Sequence, residues 1–275
     1  MGTKEEITRK SLSKKESILL SRLSAKQKNI ITIKDIEREL ETTNQNARKI
    51  ASRLNKKGWL DRLESGKYLI IPLDAGEESS YTEHEFIIAS NLISNYYIAF
   101  LSALNFHGMT EQTPYTVFVA TTERKKDRTI HDIPYNFIKI DKKKFFGFEK
   151  YAVASSQIKI STPEKTIIDS LDHLEYSGGI TEVIKGLREK RNNLDIEKMV
   201  NYAVKINNGA VVKRLHYLMD FLNFDMPDEV ENKLIKNYSD SYSLLDNTLS
   251  DKGKYRSKWK LRINIKTQDL LEEGY

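Results

Sequence analysis

Two hydrophobic periods alternate in the first quarter of the chain. Ile18, Leu19, Leu20 and Leu23 fall at helical spacing behind a polar, Lys-rich lead, which predicts a helix over about Lys14–Ala25. Ile31-Thr32-Ile33 reads as a short extended piece. Ile36 and Leu40, four apart, predict a compact second helix over Lys34–Leu40. Glu41-Thr42-Thr43 is a turn with Thr43 as N-cap. Ala47, Ile50, Ala51 and Leu54 then form one narrow apolar stripe, so a third helix runs over about Asn44–Lys57 and ends at a C′ glycine, Gly58. Beyond Gly58 the period becomes strand-like. Trp59–Leu63 and Tyr68–Leu73 flank Glu64-Ser65-Gly66-Lys67 as a hairpin. Helix, short strand, helix, turn, basic helix and hairpin is the order of a winged helix-turn-helix.

The remainder reads as mixed α/β with a helical back half. Helices are predicted at Glu83–Ile93 and Tyr97–Leu104, and strands at Thr116–Thr121, Tyr135–Ile140 and Tyr151–Ile160. Ser161 or Thr162 can cap the next helix, with Pro163 in its first turn, Glu164 at capping-box spacing and an end near Leu174. Four more helices are expected, at about Ile180–Arg188, Asp195–Lys205, Gly209–Leu222 and Asp228–Tyr238. Trp259, Leu261, Ile263 and Ile265 at period two predict a last strand returning to the sheet. The whole is an α+β fold. The polar stretch Asp74–Ser80 reads as a linker, which divides the chain into residues 1–76 and 77–275.

Charge sharpens this division. Residues 1–76 hold 17 Lys/Arg against 10 Asp/Glu, a net of +7, whereas the other residues hold 28 against 29, a net of −1. The entire excess of this 275-residue chain (net +6) therefore lies in the small N-terminal part, as expected of a nucleic-acid-binding module joined to a second function. The third helix is about 20 Å long, enough to lie in a major groove. Its outer face supplies Gln45 and Asn46 for adenine edges and Arg48 and Lys49 for guanine edges or phosphate. Ser52, Arg53, Lys56 and Lys57 continue toward backbone phosphates. Lys34, Thr43 and, on the hairpin, Arg62 and Lys67 complete the expected DNA contacts. The plain alternative for each is a solvated surface position.

Enzyme signatures are missing. There is no cysteine, which removes disulfides, thiolate metal sites and cysteine nucleophiles and fits a reducing cytoplasm. No phosphate-binding glycine loop and no metalloprotease helix occurs. His131-Asp132, with His107 and Asp169, faintly resembles an HD phosphohydrolase set, but it sits in a loop between strands where that fold uses helices. Glu164 is better read as a cap, Asp169 as the partner of a nearby basic group, and Asp172-His173 as surface. The basic loops Arg124–Arg128 and Lys142–Lys144 read first as solvated. No apolar run reaches a membrane-spanning length, and the acidic N-terminus predicts no signal peptide. The expectation is a binding protein, not an enzyme, with no cofactor, no metal and no membrane partner.

Two blocks carry a family resemblance. Tyr96–Gln112 resembles the "yy-ls-AL-hHG-TeQ" block of the AbiEi-type antitoxins of type IV toxin–antitoxin (abortive-infection) systems, and Ser161–Asp169 resembles their "s-pErTiiD" block, with Lys165 where Arg is frequent. The resemblance implies a winged helix that binds inverted repeats in its own promoter, a role compatible with a homodimer on DNA. It also implies a C-terminal domain that counters a nucleotidyltransferase-type toxin, directly or indirectly. His107, Gly108, Glu111, Gln112, Glu164 and Asp169 carry over as block residues with no catalytic role attached. The competing expectation is a winged-helix transcriptional regulator whose C-terminal domain senses a ligand or binds another protein.

Overall fold

Side-chain caps set the starts of the first three helices. In the computed structural model, which describes residues 9–75, 81–154 and 156–272, Ser13 opens α1 (Lys14–Ala25) in a reciprocal capping box with Glu16. Thr32 does the same for α2 (Ile33–Leu40) with Asp35. Thr43 accepts from the Asn46 amide and opens α3 (Asn44–Lys56). Because Thr32 serves as a cap, the short strand β1 is Ile30–Thr32 and Ile33 belongs to the helix, one residue earlier than the pattern suggested. Gly58, at φ +75°, lies just beyond α3. The hairpin β2 (Leu60–Glu64) and β3 (Lys67–Ile70) turns at Ser65-Gly66 and pairs with β1 in the order β1-β3-β2, antiparallel throughout. Leu19, Leu23, Ile36, Ala47, Ala51 and Leu54, all fully buried, join the three helices to that sheet.

The chain divides into compact units between Leu92 and Ile93, later than the polar stretch near residue 76. Residues 76–80 of that expected linker lie outside the described residues. The physical reason for the later division is local. The Lys67 ammonium donates to the Asn91 and Leu92 carbonyls at the end of α4 (Glu85–Leu92), and Asn29 donates to the buried Glu83 carboxylate at 2.7 Å.

The second unit is built on a six-stranded mixed sheet in the order β6-β7-β5-β4-β9-β8. Its strands are β4 (Tyr96–Ile98), β5 (Val117–Thr121), β6 (Arg128–Ile130), β7 (Ile133–Lys139), β8 (Phe148–Val153) and β9 (Ser156–Ser161). Tyr96–Ile98 corrects the helix expected from Tyr97. These residues pair antiparallel with β5 and parallel with β9, and only α5 (Phe100–Phe106) is helical. A strand covered on both faces presents an unbroken apolar run, which periodicity cannot separate from a buried helix. Phe100 makes the change of direction with a left-handed φ of +54°.

Helices α6 (Pro163–Asp172), α7 (Gly179–Glu189), α8 (Ile196–Ile206), α9 (Gly209–Phe221) and α10 (Asp228–Lys236) share one core through Ile167, Leu171, Val183, Val200 and Leu215. Thr162 is the residue that caps α6, accepting from the Lys165 amide. The tail does not return to the main sheet. Leu261–Ile263 is the middle strand β12 of a separate sheet with β10 (Ser243–Leu244) on one side and β11 (Lys254–Arg256) on the other. Its apolar alternation meets the helical core instead, through the fully buried Leu261. A short helix, α11 (Thr267–Glu272), ends the described chain. Among the described residues no helix is long and apolar enough to cross a membrane.

Candidate nucleic-acid interface

Helix α3 separates its residues by periodicity. Ala47, Ile50, Ala51 and Leu54 point into the core, while Gln45, Asn46, Arg48, Lys49, Ser52, Arg53 and Lys56 are exposed. The helix carries no acidic residue. Gln45, Arg48, Lys49, Ser52 and Arg53 border one shallow surface depression of about 480 Å³. Among the described residues, Lys34, Gln45, Lys49, Ser52, Lys56 and Arg62 have no side-chain hydrogen bond or ion pair. Their donors are therefore available to an anion or a base edge. Arg48 donates from Nε to Asn44 Oδ1 one turn back, at 2.8 Å, which steadies its guanidinium on the helix surface.

Four expected contacts already have partners inside the fold. Lys57 is bound to Glu16 at 2.6 Å, and Arg53 Nε stands 3.5 Å from the same carboxylate. Burial alone pushes the Glu16 carboxyl up, but hydrogen bonds from Lys57 and from the Ser13 amide and hydroxyl outweigh it and hold it down at about 2. Glu16 thus ties α1 to the C-terminal end of α3 and draws Lys57 away from the outer face. Lys67 binds Glu64 at 2.9 Å as well as the carbonyls closing α4, so its ammonium is engaged at the tip of the hairpin. Thr43 is exposed but already occupied as a cap. The signal for these commitments was weak in sequence, since Lys56 and Lys57 differ only in the direction they leave the helix.

The block residues of the second unit are mostly structural. His107 Nε2–H donates to the Ser161 carbonyl at 2.7 Å, joining the end of α5 to β9. Burial pushes its pKa down, with the Ser161 carbonyl pulling the other way. Gly108, at φ +60°, follows α5 as its C′ residue. Gln112 donates to Glu182 at 2.9 Å, and Thr110 donates to the same buried carboxylate. Glu111 is exposed. Glu164 does not cap its helix. Its buried carboxylate faces Lys198 at 3.0 Å and the Asp195 amide at 3.4 Å, across to the start of α8. Asp172, read as surface, is also buried at its side chain and accepts from Lys144 at 2.6 Å and Asn208 at 2.7 Å.

Asp169 has the basic partner its reading anticipated. The fully buried Lys165 ammonium, one turn back, pairs with one carboxylate oxygen, and Tyr97 OH donates to the other at 3.0 Å. Lys165 also lies 4.9 Å above the Phe146 ring. Burial pushes the lysine down and the carboxyl up, and the mutual attraction opposes both shifts. Gly147, at φ +71°, packs against the Lys165 stem, where a Cβ would stand 3.0 Å from Cγ. Tyr97, Thr110 and Glu182 carry no site role in the sequence analysis, and Lys165 appears there only as a block residue, although the Lys165–Asp169 spacing is that of a helical ion pair.

The structure does not assemble His107, His131, Asp132 and Asp169. His131 and Asp132 form the tight turn between β6 and β7, both at left-handed φ. Among the described residues one His–carboxylate group has metal-like spacing, His216, Asp220 and Glu231. Its atoms already have partners. In the neutral ring, His216 Nε2–H donates to Glu231 at 3.1 Å and Nδ1 accepts from Tyr238 OH at 2.7 Å. Asp220 accepts from Trp259 at 2.7 Å and binds Lys258 at 2.6 Å. A cation there would have to displace Lys258, so the set reads as a hydrogen-bonded joint between α9, α10 and the segment before β12.

No protein-family profile matches the chain, and no curated protein matches it. Among solved structures the chain is similar to the crystal structure of the RV2827C protein from Mycobacterium tuberculosis, with a TM-score of 0.67 and 12% sequence identity over 98% of this chain and 97% of that one. At that identity the likeness concerns the fold alone: a mixed α+β architecture already seen in another protein.

Proposed function

We propose that this protein is a DNA-binding transcriptional autorepressor and the antitoxin of a type IV toxin–antitoxin system. In this reading the first unit is a winged helix-turn-helix, α3 is the recognition helix, and β2–β3 is the wing. The observation that carries it is the outer face of α3, where Gln45, Arg48, Lys49, Ser52 and Lys56 project from a helix without acidic residues. The order of elements, with α2 leading through a tight turn into α3 and a hairpin following, supports the same assignment. The antitoxin half rests on the two sequence blocks around His107-Gly108 and Glu164-Lys165, and its counterpart is a nucleotidyltransferase-type toxin. Action in the cytoplasm, by binding without catalysis, belongs to this proposal.

The test is a titration of the full chain against the duplex upstream of its own coding sequence and a scrambled duplex of equal length, across a salt series. Selective binding of the upstream duplex is the expected result. Equal, steeply salt-sensitive binding to both would reduce the first unit to a generic polyanion binder and remove the promoter role. A second arm asks whether residues 93–275, purified and shown to melt cooperatively, still relieve growth arrest by the neighbouring toxin. Relief that needs residues 1–92 would overturn the division of labour.

A further inference from the structure

A second basic surface lies in the other unit. Residues 239–266 hold seven Lys/Arg and three Asp/Glu, and from Lys252 to Arg262 every second residue is a cation. The small sheet β10-β12-β11 turns one face to the helical core through Leu261. Tyr255 and Arg262 are register partners on neighbouring strands, so their side chains share a face. Tyr255 is 61% exposed and Tyr242, preceding β10, is 45% exposed. Their rings meet edge to face at 5.0 Å, and the Arg262 guanidinium lies 5.3 Å over Tyr255. Along the edge strand, Lys252, Lys254 and Arg256 are exposed and make no ion pair among the described residues. The platform is held in shape from behind. Asn264 donates to the Asp246 and Ser250 carbonyls, and Gly253 lies so close to β12 that a Cβ would stand 2.3 Å from the Ile263 carbonyl oxygen.

We infer that the exposed β11 edge of this sheet binds single-stranded nucleic acid, with bases stacked on Tyr242 and Tyr255 on the open face and phosphates reaching over the edge to Lys252, Lys254 and Arg256, which alternate with Tyr255 along the chain. Exposed aromatic rings beside an arginine plane on a sheet, bordered by unpaired cations, supply the two things a single strand offers partners for: π-faces and a regular run of negative charge. A duplex hides its base faces, so the tyrosines would gain nothing from it. A protein partner would have to bring its own carboxylates to these cations.

The test measures fluorescence anisotropy of the full chain with a labelled 12-nucleotide oligo(U), its deoxy counterpart and a duplex of equal length. Both single strands should bind, and an advantage for oligo(U) would mark RNA as the source. Tyr242→Ala with Tyr255→Ala should lower single-strand affinity about tenfold or more, while Tyr255→Phe, which keeps the ring, should retain it. Lys252→Gln with Lys254→Gln should reduce the salt slope by about 1.4. None of these changes should alter duplex binding. Arg48→Ala with Lys49→Ala should do the reverse, so the two surfaces stand or fall separately. The inference is overturned if the parent does not bind single strands, if the two tyrosines can be removed without loss in a variant that melts with the parent, or if the α3 substitutions abolish single-strand binding.

Discussion

Helices α3 and α6 use similar residues to opposite ends. Both begin at a threonine cap and both carry charged side chains at several positions. On α3 the charges form an outer face whose Lys49 and Lys56 make no ion pair among the described residues. On α6, eight consecutive residues from Glu164 to Leu171 are buried, and Glu164, Lys165 and Asp169 all find opposite charges or hydrogen-bond donors. A charge left in water keeps its hydration and can exchange it for a ligand. A charge taken out of water must be paired at once, and is then unavailable. The comparison teaches that charge content alone does not mark a functional face. The absence of an internal partner does.

The sharpest way to break this contrast is at Asp169. Asp169→Ala leaves the Lys165 ammonium buried without its counter-charge, and a loss of about 3–5 kcal/mol in urea unfolding is expected. Replacing both, Lys165→Met with Asp169→Leu, should recover most of it. A single-variant loss below about 1 kcal/mol would mean that the pair is solvated like a surface one.

Glu16 offers a mixed case, since it is buried but fed by cations from the helix that also faces outward. Its folded pKa, about 2, lies below the ordinary carboxylate value near 4.5. The stabilisation is therefore present above about pH 4.5 and is lost as pH falls toward 2. Glu16→Gln should lower stability at neutral pH by about 2 kcal/mol and flatten the acid limb of the first unit's unfolding profile. An unchanged acid limb would show that Lys57 is held by something else.

Arg48→Ala and Lys49→Ala should each cost about 1–3 kcal/mol of operator affinity, while thermal stability stays within error. A fall in stability equal to the fall in affinity would return these residues to the structural class of α6. The smallest effect is expected at Thr43→Ala, about 1 kcal/mol of stability from the lost cap, with base selectivity unchanged. A change in which base pair is preferred would show that Thr43 reads DNA as well as capping the helix.

Much of the first unit was legible because its determinants are local. Caps, a four-residue stripe and a Ser-Gly tip each act within a few residues, and the three helices and the hairpin fall where those signals lie. The second unit was legible where its helices are amphipathic, and misleading where distant residues decide, as at Asp172 and at three further places. Tyr97 lies in a strand, because a fully buried strand has no period to read. Glu164 has a capping-box position but reaches across to α8, because Thr162 takes the cap and leaves that carboxylate for Lys198. The tail does alternate, yet joins a small sheet of its own, since alternation specifies a half-buried strand and not its neighbours.

The candidate interface divides along the same line. That a basic helix follows a tight turn, and that its apolar stripe leaves Arg48, Lys49 and Ser52 outward, is written in the local pattern of residues, because helical periodicity is a property of the backbone. That Lys57 is bound while Lys56 has no partner among the described residues follows from the packing of α1 on α3, since Glu16 arrives from another helix. Tertiary packing likewise closes Lys165 and Asp169 on Tyr97 in the core and sets Tyr255 and Arg262 on one open face. Each of these depends on which distant residue fills the adjacent space, and pairing over such distances follows from packing and desolvation, which no short window of sequence contains.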